Sequence, residues 1–263
     1  MVLTDTSVRA SAALKCLPPF PMVATRVAEA LANPLTSFYD VAELLETDAA
    51  LSAEVLRLAN SALVGVRYEI TNIMQALAIL GSRRVATLIM TLTLSKLIGS
   101  AGKSDAMRRL WRHNLACALA ARQLADLQHR DSIEAYYAGL FHEVGRLALL
   151  AQKPDIYDDA PEPGTDIAVM ERRHFGVDHC EASAWVIEQW KLPRAFVEVA
   201  LHHKNPMRNA SHLTLIVNLG CHIADRLGFT VMPVEGPAEF GPTDEIGFSI
   251  ALAVNSLTSE LGI

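Results

Sequence analysis

The chain has 263 residues, of which 51% are hydrophobic and 20% charged, with a formal net charge of −6. Such a length buries a sizeable core in one large domain or two fused lobes, and the composition excludes disorder, collagen-like repeats and low-complexity sequence. With no run of Lys or Arg there is no basic footprint for phosphate, so no nucleic-acid partner is expected.

Taken in order, Leu17-Pro18-Pro19-Phe20-Pro21 is a stiff extended segment, and Met22 to Leu31 has helical spacing that Asn33-Pro34 ends. Ser37 is an N-cap for a helix from Phe38 to Glu46, and Asp48 for one from Ala49 to Ala62. Asn60 and Ser61 follow the apolar face of that helix, and a structural role in closing carbonyls or joining lobes is expected of them. Asn72 to Leu80 reads as a helix stopped by Gly81, and Arg83 to Ile98 as another stopped by Gly99. No strand alternation is visible, so the first lobe is all-α. The span 99–104 is a small-residue break between lobes.

Asp105 caps a long helix to about Leu127, with Arg108, Arg109, Arg112 and Arg122 on its solvent side and His113 among the buried positions. The stretch from Ala138 to Leu150 follows. Read as one helix it is apolar or small nearly all round, except for His142, Glu143 and Arg146, which fall within roughly a third of the circumference. Small Ala138 and Gly139 lie one turn earlier and leave room for other groups. The three polar residues form either a solvated stripe or a polar pocket in a core, and a buried carboxylate beside an imidazole requires partners. After a Pro- and Asp-rich loop from Lys153 to Asp166, Asp178 and Glu181 form a capping box that puts His179 in the first turn of a helix to Trp190. The next helix starts at Leu192-Pro193 and ends at His202-His203, which could simply complement its dipole. Ser211 caps Leu213 to Leu227, with Asn218, Cys221, His222 and Asp225 on one side. A loop from Gly228 to Gly247 and a last helix from Phe248 to Leu261 complete the chain.

Cys16, Cys117, Cys180 and Cys221 are widely spaced without a C-x-x-C pair, and read as reduced core thiols. The first residues lack a charged segment followed by an apolar run, so no signal peptide is expected. The most membrane-like stretch, Val85 to Ile98, carries Lys96 and is shorter than a bilayer span, so a buried helix, a cytoplasmic location and no membrane partner are expected. Singly the histidines mean little. Together, however, His113, His142, His179, His202 and His203 with Glu143 and Asp225 make an N/O set suited to iron, manganese or zinc. No H-E-x-x-H, Gly-rich phosphate loop or G-x-S-x-G elbow is present.

Several motifs in order resemble the HDOD domain, the HD-related output domain of bacterial signalling proteins. They are Leu17-Pro18-Pro19, Leu56-Arg57-Leu58-Ala59-Asn60-Ser61-Ala62, Gln75-Ala76 before Leu80-Gly81, Leu110-Trp111-x-His113, Gly139-Leu140-Phe141-His142-Glu143-Val144-Gly145, and His179 through Trp185 and Trp190-x-Leu192-Pro193 to His202-His203. The resemblance implies an all-α fold with an N-terminal helical lobe, about 14–100, packed on a lobe similar to HD-type metal-dependent phosphohydrolases, about 104–205. An N-terminal segment, 1–13, precedes them, and a helical extension, 206–263, would complete the HD-like lobe.

By the same resemblance, His113, His142, Glu143 and Asp225 match the metal ligands of HD hydrolases, and His179, His202 and His203 match the additional histidines of the HD-GYP phosphodiesterases. The implied metal is iron, manganese, zinc or nickel. The chain departs from those enzymes in having Glu143 where they have Asp, Arg146 where they have Lys, and Lys204-Asn205-Pro206-Met207 where they have Gly-Tyr-Pro. Two functional classes follow. The first is a non-catalytic signalling output or scaffold module acting through signalling proteins, with a retained structural metal. The second is a metal-dependent phosphohydrolase acting on a phosphodiester or nucleotide, with Arg146 or Lys204 meeting phosphate. No receiver, kinase or cyclase segment is recognisable, so a signal is expected to arrive by association, and self-association into a homo-oligomer stays open.

Overall fold

The computed structural model describes residues 17–32, 35–61, 65–101, 104–158, 166–233 and 245–262, and these contain helices and no strand. The expected segment 1–13 and the helix stop at Asn33-Pro34 lie outside the described residues. Two compact units are present: Phe20–Leu97 with Ser256–Gly262, and Ile98–Asn255 with the described residues before Phe20.

In the first unit lie α1 (Met22–Ala32), α2 (Phe38–Glu46), α3 (Ala49–Ala59) and most of α4 (Ile73–Ala101). Ser37 Oγ accepts from Asp40 N at 3.2 Å while Asp40 accepts from Ser37 N at 3.1 Å, a reciprocal cap that fixes the start of α2. Helix α3 stops at Ala59, earlier than its spacing suggests, because Asn60 turns its side chain onto Leu56 O at 2.9 Å and onto Ile70. The two helices expected around Gly81 form one element, kinked at Gly81 (φ 78°, ψ 160°), and it runs past Gly99 to Ala101. A left-handed φ of this kind suits only glycine without strain. The stretch Ile73–Ser100 is long and apolar enough to cross a membrane by length and composition, yet the kink interrupts it and 56% of its apolar window is buried, as in a core helix.

The second unit is built on α5 (Asp105–Leu127), capped by Ser104 rather than Asp105, with α6 (Ser132–Phe141) and α11 (His212–Arg226) packed against it. Both contacts are backbone-close. A Cβ on Gly139 would lie 2.8 Å from Ala118 Cα, and one on Gly220 would lie 3.0 Å from Cys117 O. Small residues therefore let three helices meet where His113, His142 and Cys221 project.

The single helix expected from Ala138 to Leu150 is instead broken. Helix α6 ends at Phe141, and α7 (Arg146–Gln152) begins after a turn. His142 Nδ1 takes Gly139 O at 2.7 Å, the carbonyl that a continuing helix would offer to Glu143 N. The chain passes on through three-residue bonds, Val144 N to Phe141 O and Arg146 N to Glu143 O. Gly145 makes this turn possible: its N–H donates to Ser183 Oγ at 2.9 Å, and a Cβ there would sit 2.2 Å from Ser183 N. That contact draws α9 (His179–Gln189) over the turn. Between them are a 3-10 turn (Pro154–Tyr157) and α8 (Ile167–Phe175), which the sequence reading did not anticipate. Helices α10 (Arg194–His202) and α12 (Glu245–Leu261) follow the expected pattern.

Candidate metal centre

His142, Glu143 and Arg146 are a buried cluster, not a solvated stripe: their exposures are 0%, 0% and 1%. Around Glu143 converge His113 from α5, His142 from the turn, His179 from the start of α9 and His203 from the end of α10. The four imidazoles form an arc with successive ring centroids 5.4, 4.8 and 5.6 Å apart, in the order His113, His142, His203, His179. Their Nε2 atoms lie 3.9, 4.0, 3.5 and 3.8 Å from a Glu143 oxygen in that same order. All of these are longer than a formed hydrogen bond.

The outward nitrogens are tied. His113 Nδ1 lies 2.7 Å from Phe229 O, His142 Nδ1 2.7 Å from Gly139 O, and His203 Nδ1 2.9 Å from Ala200 O. A carbonyl only accepts, so each Nδ1 donates, and in the neutral ring Nε2 becomes a bare lone pair pointing inward. His179 Nδ1 touches both Glu171 Oε2 at 2.5 Å and Arg146 Nη2 at 3.0 Å. The shorter contact requires a proton between nitrogen and carboxylate, so here too Nδ1 donates, and the arginine contact is incidental. Buried Nε2 of His113, His179 and His203 and Oε1 of Glu143 have no hydrogen-bond partner. Converging lone pairs repel one another, the His113 proton and the Lys204 ammonium offset this only in part, and a cation is what such a set accommodates. The residues therefore fit the metal expected of them.

Charged groups hold this arrangement. Arg146 donates to Glu143 at 2.5 Å and to Glu171 at 3.0 Å. Burial opposes the charged form of Glu143, but Arg146, Lys204 and His113 outweigh it and keep its carboxyl well below the usual range. Glu171 is likewise lowered, to about 2: its burial is overcome by Arg146 and His179. It also accepts from Tyr157 Oη at 2.8 Å and from His179 N at 2.8 Å. Burial, with Arg146, pushes His179 down to about 4, so its ring is neutral near pH 7. His113 goes the other way, to about 9: burial would lower it, but Glu143, Cys221 and Asp225 together outweigh burial, and a proton there does part of a cation's work. Lys204, 38% exposed along its side chain, reaches Glu143 Oε1 at 3.5 Å.

Not every expected ligand converges. Asp225 sits behind His113, with Oδ1 3.5 Å from Nδ1, the nitrogen facing away from Glu143, and 42% of its side chain is exposed. His202 is half-buried in the wall of a neighbouring cleft of about 520 Å³, which Arg146, Arg172, His179 and Lys204 also line. Three participants were not singled out from sequence. Glu171 lies on the unanticipated α8, whose ends Asp166 and Gly176 (φ 78°) could have signalled it. Cys221 Sγ lies 3.2 Å from His142 Nε2, and Cys117 Sγ 3.5 Å from Cys221 Sγ. The face shared by Asn218, Cys221, His222 and Asp225 divides: Asn218 bonds His203 O at 2.6 Å, Cys221 points at the histidines, and His222 is exposed.

The model of the HDOD domain family matches residues 17–206. The chain belongs to the HDOD family. An HDOD protein of unknown function from Geobacter sulfurreducens has a similar crystal structure, with 24% identity, 98% of this chain and 97% of that one covered, and a TM-score of 0.72. A Shewanella amazonensis SB2B protein, named for an inferred phosphohydrolase activity, is 22% identical over 96% of this chain and 95% of its own, with a TM-score of 0.67. At these identities the likeness is one of HDOD fold. A curated relative, an uncharacterized protein of Treponema pallidum, is 24% identical over 207 residues, and the match spans 76% of this chain but only 40% of that protein.

Proposed function

We propose that this HDOD chain is a non-catalytic signalling output module that acts through protein partners and holds a cation in its second unit for structure rather than turnover. The observation that carries this reading is the closure of the donor set: the unpartnered nitrogens and Glu143 Oε1 are buried. Structural metal sites are closed, whereas catalytic ones keep a position open for water or substrate. A bound cation would supply folding free energy by drawing His113, His142, His203 and Glu143 together.

The phosphohydrolase reading is favoured by one feature, the cleft beside the histidines with Arg146, His179 and Lys204 in its wall. Its cations are already committed, however. Arg146 is paired with Glu143 and Glu171, Arg172 with Asp178, and Lys204 faces Glu143. Glu143 is also one methylene longer than the aspartate of hydrolases, and a displacement of about 1 Å can cost 10²-fold in rate.

Turnover against a panel of phosphoesters and nucleotides that includes cyclic-di-GMP, with iron, manganese, zinc or nickel supplied, tests the proposal. No turnover is expected, from wild type or from Glu143→Asp. Metal-dependent hydrolysis near the roughly 1–10³ s⁻¹ of ordinary enzymes, lost in His142→Ala, would replace the module reading with the phosphohydrolase one.

A further inference from the structure

The buried donor set contains a sulfur. Cys221 is 3% exposed, and its Sγ lies with one ring nitrogen each of His113 and His142 such that all three atoms are within 4.8 Å of one another. Glu143 borders this group with different oxygens, Oε2 at 3.9 Å from His113 Nε2 and Oε1 at 4.0 Å from His142 Nε2. In a tetrahedral site with metal–nitrogen bonds of about 2.0–2.1 Å and a metal–sulfur bond of about 2.3 Å, neighbouring donors stand roughly 3.3–3.7 Å apart. The pair Cys221 Sγ and His142 Nε2, at 3.2 Å, is already at that separation, and the other two pairs, within 4.8 Å, need to close by at most roughly 1.5 Å. A plain thiol–imidazole hydrogen bond would account for this one pair. It would leave His113 Nε2 without a hydrogen-bond partner.

Charge points the same way. Arg146 and Lys204 already face Glu143 and Glu171, so a dication placed among neutral imidazoles would bring uncompensated positive charge into a buried site. A thiolate removes part of that excess: Glu143 is already paired with Arg146 and Lys204, and Asp225 is on the far side of His113.

We propose that Cys221 is a direct thiolate ligand, with His113 and His142, of a tetrahedral site for a borderline divalent ion such as zinc or cobalt. Binding exchanges the thiol proton and the Nε2 proton of His113 for bonds to the metal and releases both to solvent; no electron is transferred. Cys117, at 3.5 Å, is a positioning residue that hydrogen-bonds the sulfur. Sulfur shifts preference away from magnesium and manganese, which favour oxygen ligands. The inference rests on the cation reading above and adds the donor that selects the ion.

Titrating the metal-stripped full chain with Co²⁺ separates the two claims. The account expects intense visible d–d bands of tetrahedral cobalt together with a near-ultraviolet sulfur-to-cobalt charge-transfer band. Cys221→Ser should lose the charge-transfer band and weaken Co²⁺ binding by more than the roughly 10–100-fold that loss of an outer-shell partner costs. Cys117→Ser and Cys180→Ser should retain it; Cys180 is the control because it lies with His179 and His203 in a second possible donor group. Visible bands without the charge-transfer band in wild type, or a band that disappears in Cys180→Ser instead, would overturn the thiolate assignment and leave the cation reading standing. No cobalt spectrum and no thermal shift at all would overturn both. If Cys221→Ser does not fold, the wild-type spectrum with the two other cysteine variants still decides.

Discussion

Asn60 in the first unit and Glu143 in the second are both polar residues just beyond a helix, and their surroundings differ in kind. Asn60 spends its amide completely on the chain: Nδ2 donates to Leu56 O at 2.9 Å and Ile70 O at 2.8 Å, and Oδ1 accepts from Ile70 N at 2.7 Å. Glu143 is completely buried, yet three of the imidazole nitrogens facing it have no hydrogen-bond partner, and Oε1 has only the Lys204 ammonium at 3.5 Å. The first arrangement closes on itself and so explains itself as structure. The second is complete only with something added, which is why the ligand argument belongs to one unit and not the other.

The largest break in this contrast should come from Arg146→Met. Its guanidinium holds both Glu143 and Glu171, and removing it leaves two buried carboxylates short of a partner. A loss of about 3–5 kcal/mol is expected in urea or thermal unfolding. A change below about 1 kcal/mol would mean that the carboxylates take up protons or that solvent reaches them, and the picture of a closed site would fail.

Acid should act more gradually, in the metal-free protein. The His179 pKa is lowered from 6.5 to about 4, so between those values the unfolded chain binds a proton that the folded one does not. Glu171 is lowered from 4.5 to about 2 and behaves alike in its own window. Stability should therefore fall steadily from pH 6.5 towards pH 2, by a few kcal/mol in all. His113, raised to about 9, has the opposite sign: its contribution is intact below 6.5 and fades as pH rises to 9. Urea midpoints that do not change between neutral pH and pH 4.5 would contradict the tied and neutral state of His179.

Asn60→Ala should show the smallest effect. Its side chain makes three hydrogen bonds but lies at an exposed position, so a loss of about 1–2 kcal/mol is expected, with metal binding untouched. Loss of metal binding in this variant would erase the distinction between the two regions.

Helix starts were legible because their signals are local: Ser37, Asp48, Asp178 and Ser211 cap the helices they were expected to cap. The histidines were legible as a set because four of them fall at helix interiors or ends and match a family's motifs in order. What was not legible depends on distant contacts. Gly145 looked like one more small residue in an apolar helix, and only Ser183, 38 positions away, makes the turn there. Glu171 was hidden beyond a Pro- and Asp-rich stretch that read as loop throughout. Asp225 and Cys221 are one helical turn apart, and sequence spacing alone cannot decide which of two such neighbours faces inward.

The most direct test of the central claim, that the second unit is built to hold a cation, is thermal unfolding of metal-stripped protein with increasing Zn²⁺, wild type beside His142→Ala. Wild type should be stabilised by about 2.7 kcal/mol at a hundredfold excess over Kd, with zinc retained after gel filtration, and His142→Ala should show neither effect. Folded wild-type protein that retains no zinc and unfolds at the same temperature throughout the titration would contradict the account.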